Sequence, residues 1–164
     1  MPPNSRLVSG KLPAPIRCAQ SAPHPEHQAM DTSKRNQLVA RLSREPKPQV
    51  VPIEVFFDAN DDLGSIGCNL IQHPGIEAFR DVFARIAQRP DLKAIYAQIA
   101  ELDPGADCWP FTDTIFVVGT ISADDLANEL TSLEPDEVGP GEDFRIPGAI
   151  TQRHNAPVLA AWWD

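Results

Sequence analysis

The run Val51-Pro52-Ile53-Glu54-Val55-Phe56-Phe57 alternates weakly and is rich in β-branched and aromatic residues, which predicts a mostly buried strand over residues 51–57. Ile76, Phe79, Val82, Phe83 and Ile86 then recur at helical spacing, with Arg80, Asp81, Arg85 and Gln88 between them. They predict an amphipathic helix that opens near Pro74, where a missing N–H costs nothing, and stops before Pro90. Between 92 and 102, Ile95, Ala97 and Ile99 alternate with Tyr96, Gln98 and Ala100, a second strand. The most β-prone run, Thr114-Ile115-Phe116-Val117-Val118-Gly119-Thr120, is apolar on both faces and belongs in the middle of a sheet. Ser122 with Asp125 three residues on is a capping-box variant, and Leu126, Leu130 and Leu133 mark one face of a second helix that ends before Pro135. A terminal strand follows over 157–164, and its adjacent Trp162 and Trp163 must point to opposite faces.

Strand, helix, strand, strand, helix, strand is the split βαβ order. It predicts an α+β, ferredoxin-like two-layer sandwich (βαββαβ), with two helices on one face of a four-stranded antiparallel sheet. Right-handed crossovers would make the first and second strands parallel and the other two opposite. Three loops, 58–73, 103–113 and 134–157, would then share one end of the sheet.

Charge divides the chain at about residue 48. Residues 1–48 hold eight Lys or Arg against three acids, a net of +5, and residues 49–164 hold six against twenty, a net of −14, giving −9 for the whole. The first part is also rich in Pro and lacks a long apolar run, so it reads as a disordered basic arm, with one domain over 49–164. Met30, just ahead of Asp31-Thr32-Ser33, is a candidate for the true start in place of Met1. No run resembles a secretory signal or a membrane span. Cys18, Cys68 and Cys108 form no obvious paired framework, and a reducing cytoplasm fits them.

The shared loops hold most of the unusual chemistry. Thiolate and imidazole are zinc-type ligands, so Cys68, His73, Cys108 and His154 are metal candidates, although the Cys-x4-His spacing lacks a CxxC knuckle and the preferred reading has neither metal nor cofactor. A small enzyme or metal-binding protein would use Asp58, Asp61, Cys68, His73, Cys108 and Asp113. The bland alternative is that Asn60-Asp61-Asp62 before Gly64 is turn chemistry. No Gly-rich phosphate loop with Lys, HExxH or GxSxG occurs.

Binding is the more economical reading. Cys108-Trp109-Pro110-Phe111 puts two aromatics in a loop, where they would serve as contact anchors or fold back over the core. The binding candidates are Asp58, Asp61, Asp62, Asn69, His73, Trp109, Phe111 and Asp113. A domain with this excess of carboxylates repels phosphate and lacks an RNP pattern, which argues against nucleic acid and for a basic protein partner. One indole and Phe56 or Phe116 would populate an uncovered sheet face, a surface for a homodimer.

Asp58-Ala59-Asn60-Asp61-Asp62-Leu63-Gly64-Ser65-Ile66-Gly67-Cys68-Asn69-Leu70, His73-Pro74-Gly75, Trp109-Pro110-Phe111-Thr112-Asp113-Thr114 and Trp162-Trp163-Asp164 carry a resemblance. With them, residues 56–164 resemble a group of small acidic bacterial proteins of uncharacterised function. That resemblance implies no activity, substrate or site. In size and charge alone the domain is also similar to immunity proteins that neutralise basic toxins. The expected function is therefore a non-catalytic protein-binding module, an immunity or regulatory partner of a basic protein.

Overall fold

A computed structural model of the protein describes residues 30–164. Five strands form one sheet: β1 (Val50–Pro52), β2 (Leu92–Gln98), β3 (Thr114–Gly119), β4 (Glu137–Pro140) and β5 (Val158–Trp162). Their order is β1-β2-β3-β5-β4 and every neighbouring pair is antiparallel. The helices are α1 (Thr32–Leu42), α2 (Ile53–Phe56), α3 (Ile76–Ile86), α4 (Ala123–Glu129) and α5 (Gly148–Arg153).

The α+β class and antiparallel sheet agree with the sequence, and β2, β3, β5, α3 and α4 fall within the expected runs. The four-stranded, ferredoxin-like arrangement is corrected at three places. First, the expected strand over 51–57 stops at Pro52, which caps the single turn of α2. Ile53, Phe56 and Phe57 are buried at helical rather than alternating spacing. The shortened β1 pairs antiparallel with β2, so the expected parallel pair does not form. Second, Glu137-Val138-Gly139-Pro140 adds β4 beside β5, a strand too short and too rich in Gly and Pro to stand out.

Third, residues 30–48 are not a disordered arm. Asp31 caps α1, its carboxylate accepting the Ser33 and Lys34 N–H groups at 2.9 and 3.1 Å. Arg35, Leu38 and Leu42 face inward, and burying each leucine stabilises the docking by about 2 kcal/mol. The expected arm survives as a question only for residues 1–29, which lie outside the described residues, as does Cys18.

The core has two parts, one on each side of the sheet. On the helical side Val51, Ile95, Ala97, Ile115, Val117, Ala161 and Trp163 pack with α1 to α4. On the other side Val50, Tyr96, Phe116, Val118, Val158 and Ala160 pack under Ile150 of α5, with Phe144, Ile146 and Ala149 against them. Tyr96, Phe116, Val118, Val158 and Ala160 are each at most 7% exposed, so the uncovered face expected to seat a homodimer is closed by the chain's own 141–153 segment. The expected division of the two indoles holds for Trp163, which joins the helical side, where its ring N–H donates to Leu133 O at 2.7 Å.

At Gly119 the backbone has a φ of 154°, and a Cβ there would lie 2.3 Å from Asp91 O. The same carbonyl accepts Thr120 N–H at 2.9 Å, so the end of β3 is clamped against the entry to β2 and only glycine fits. No described helix is long and apolar enough to cross a membrane.

Candidate functional site

Two of the three loops do meet. Asn60, fully buried, accepts the Asp62 N–H through Oδ1 and donates from Nδ2 to Ser65 Oγ, both at 3.0 Å. Asp62 accepts Gly64 N–H at one oxygen and Trp109 N–H at the other, each at 2.8 Å. Thr112 N–H donates to Ser65 O at 2.9 Å. Asn60-Asp61-Asp62 is thus turn chemistry extended into a strap between loops 58–73 and 103–113.

Helix α1 fastens the strap from outside. The buried Arg35 guanidinium donates to Cys108 O at 2.9 Å and Gly105 O at 2.7 Å, and pairs with Asp103. Lys34 pairs with Asp58 at 2.9 Å, and the hydrogen bond to that carboxylate raises its pKa. Arg80 of α3 donates to Phe57 O and Asn60 O, closing the end of α2.

The predicted site residues separate on this scaffold. Asp58 faces Lys34, Asp61 has an interaction of its own, and Asp62 holds two loops. Asn69 is exposed. Trp109 is 1% exposed and belongs to the core rather than to a contact surface, its ring N–H finding no acceptor among the described residues. Phe111 is half-buried beside the Glu101–Phe111 bridge, and Asp113 accepts the Thr114 hydroxyl at 2.8 Å.

The metal candidates disperse as well. His73 has Nε2 on Ile66 O at 2.8 Å and accepts Gly75 N–H at Nδ1 at 3.0 Å, so both ring nitrogens serve its own loop. His154 lies across the sheet, its Nε2 2.8 Å from the Tyr96 hydroxyl. Cys108 is disulfide-bonded, and Cys68 is the free thiol among the described residues. Burial raises the Cys68 pKa, and the carboxylates of Asp113, Asp164 and Asp62 push it further up, so Cys68 is a poorer nucleophile than an ordinary thiol. No three His, Cys, Asp or Glu among the described residues gather as ligands. The start of loop 134–157 is tied instead to the end of β5, where Asp136 N–H donates to Trp162 O and the Asp136 carboxylate accepts Asp164 N–H.

A concavity lies elsewhere, along the outer side of β2. A groove of about 830 Å³ runs between the Leu92–Tyr96 stretch and helix α3, closed at one end by α2. Phe83 and Ile53 form buried parts of its lining, and Ala84 and Ala87 are exposed on its α3 wall. Lys93 and Glu54 also line it, both exposed and without an ion-pair partner among the described residues. Sequence reasoning missed the groove. Its signals were Pro52, which cuts β1 short, and Ala84 and Ala87, two small residues on the polar side of an amphipathic helix.

A family model described as "Uncharacterized protein YfbO family" matches residues 33–160, a span that runs from within α1 into β5. "Uncharacterized protein YfbO" of Escherichia coli (strain K12) is 29% identical over 122 residues, covering 73% of this chain and 84% of that protein. No solved structure matches the chain. The sequence resemblance to a group of uncharacterised bacterial proteins is thus shown, and the chain belongs to the Uncharacterized protein YfbO family.

Proposed function

We propose that this protein is a non-catalytic binding module for a basic protein partner, acting as a regulatory or immunity-type factor. The observation that carries the reading is the groove beside β2: it is a concavity of about 830 Å³ with a mostly apolar lining, at which Glu54 and Lys93 are exposed without an ion-pair partner among the described residues. The loop cluster supports the same choice, since Asn60, Asp62 and His73 are held by their own backbone rather than aimed at a common centre. A net charge of −9 favours a cationic partner through faster encounter and rejection of acidic competitors.

The test is the affinity of the full chain for a basic protein recovered with it from the native host, measured against sodium chloride. Affinity falling about tenfold across the physiological range of ionic strength is expected. Salt-independent affinity would overturn the choice of a basic partner.

A further inference from the structure

The sulfur of Cys108 is in a disulfide, and the thiol of Cys68 is free. The chain has three cysteines, which leaves Cys18, outside the described residues, to complete the bond within the chain. Chain length permits the pairing. Arg35 stands one helical turn past the Asp31 cap of α1 and donates to Cys108 O at 2.9 Å, so the start of α1 already lies beside the 103–108 turn. Met30 packs against the core twelve residues from Cys18, and twelve extended residues reach up to about 40 Å.

The turn holds Cys108 in a fixed setting. Its N–H donates to Gly105 O at 3.0 Å, and both the Gly105 and the Cys108 carbonyls accept from the buried Arg35 guanidinium. A Cβ at Gly105 would lie 3.4 Å from the Cys108 sulfur, so glycine leaves that side of the sulfur open. Cys68 is a weak competitor for the bond. Burial raises its pKa, which leaves little thiolate at neutral pH to attack a disulfide.

We propose that Cys18 and Cys108 form a redox-sensitive clasp that fastens the segment entering α1 to the 103–108 turn. The clasp goes beyond the binding-module reading and does not depend on it. It closes by exchange with a small disulfide such as oxidised glutathione. One cysteine thiolate displaces a donor thiolate, and the other displaces the second from the mixed disulfide. The two cysteines lose two electrons and two protons, and the donor leaves as two thiols. The closed loop, residues 18–108, restricts the unfolded chain and so favours the folded one. Excess thiol reverses the exchange and leaves α1 docked by Arg35, Leu38 and Leu42.

The test uses the full chain from its native host, alkylated without reductant and digested with trypsin. The three cysteines fall in separate peptides, 18–34, 45–80 and 94–145, so mass spectrometry reads the linkage directly. Peptide 18–34 should be joined to 94–145, with the alkylated thiol on 45–80. Dithiothreitol should lower Tm by about 5–10 °C and speed hydrogen exchange at the α1 amides about tenfold. Cys18→Ser should show the lowered Tm without reductant, and Cys68→Ser should keep the response to dithiothreitol.

Three alkylated cysteines before reduction, a bond to peptide 45–80, or a dimer joined through Cys108 overturns the pairing. A native chain that begins at Met30 also overturns it, since that chain has no Cys18. The expected linkage with Tm and α1 exchange unmoved by dithiothreitol overturns the clasp.

Discussion

The main-chain N–H of Trp109 donates to the carboxylate of Asp62 at 2.8 Å, across 47 residues of sequence. One carboxylate therefore fixes two loops, since its other oxygen holds Gly64 N–H at 2.8 Å. Asp62→Ala should destabilise the protein by about 2–3 kcal/mol by leaving both donors without their acceptor. Urea denaturation followed by tryptophan fluorescence measures it; a loss below about 0.5 kcal/mol would show the strap to be idle.

Trp109 is a core residue, and its replacement should read as lost stability. Trp109→Ala is expected to cost about 3–5 kcal/mol through the cavity it leaves. Trp109→Phe should cost less than half as much, because the ring N–H has no described acceptor to lose. Equal losses in the two variants would contradict this account.

Arg35 ties α1 to the 103–108 turn with a fork that a single ammonium cannot reproduce. Arg35→Ala should cost about 3 kcal/mol and Arg35→Lys should recover less than half of it. Full recovery by lysine would reduce the contact to charge alone.

The Cys68 thiol should react with a disulfide reagent along a pH curve whose midpoint lies above 9.0, the ordinary value. Asp113→Asn should bring the midpoint down, though not to 9.0, because burial is the larger cause. A midpoint below 9.0 in the native chain would contradict the environment described.

Asp91 is held below 3.8 by its hydrogen bonds to Arg89, 2.8 and 2.9 Å long. Its folded pKa is depressed, so its contribution to stability is present above pH 3.8 and is lost as pH falls through the lower folded value. Carboxyl titration by NMR should give a midpoint under 3.8 that returns towards 3.8 in Arg89→Gln.

Long periodic runs were legible because burial imposes them. β3 is apolar on both faces since both faces are covered, and α3 shows its stripe at 76, 79, 82, 83 and 86. Residues 51–57 misled because β-branched and aromatic side chains suit a buried helical turn as well as a strand, and Pro52 alone marked the change. Helix α1 was obscured by the charge and proline of the 1–48 stretch taken as a whole, although Asp31 followed by Leu38 and Leu42 carried its cap and stripe. The meeting of loops 58–73 and 103–113 was expected, but from a first strand parallel to the second, a pairing that does not form, so it was legible in outcome and not in cause. Its meaning was not, because an Asp that binds a ligand and an Asp that binds a distant N–H are the same letter.

The placement of residues 141–153 has a geometric corollary. With helices on one flat surface and this segment on the other, neither broad side of the sheet is available for stacking against a visitor. Growth is left to the plane of the sheet itself, so an added chain would widen the β-layer by a strand and leave its thickness unchanged.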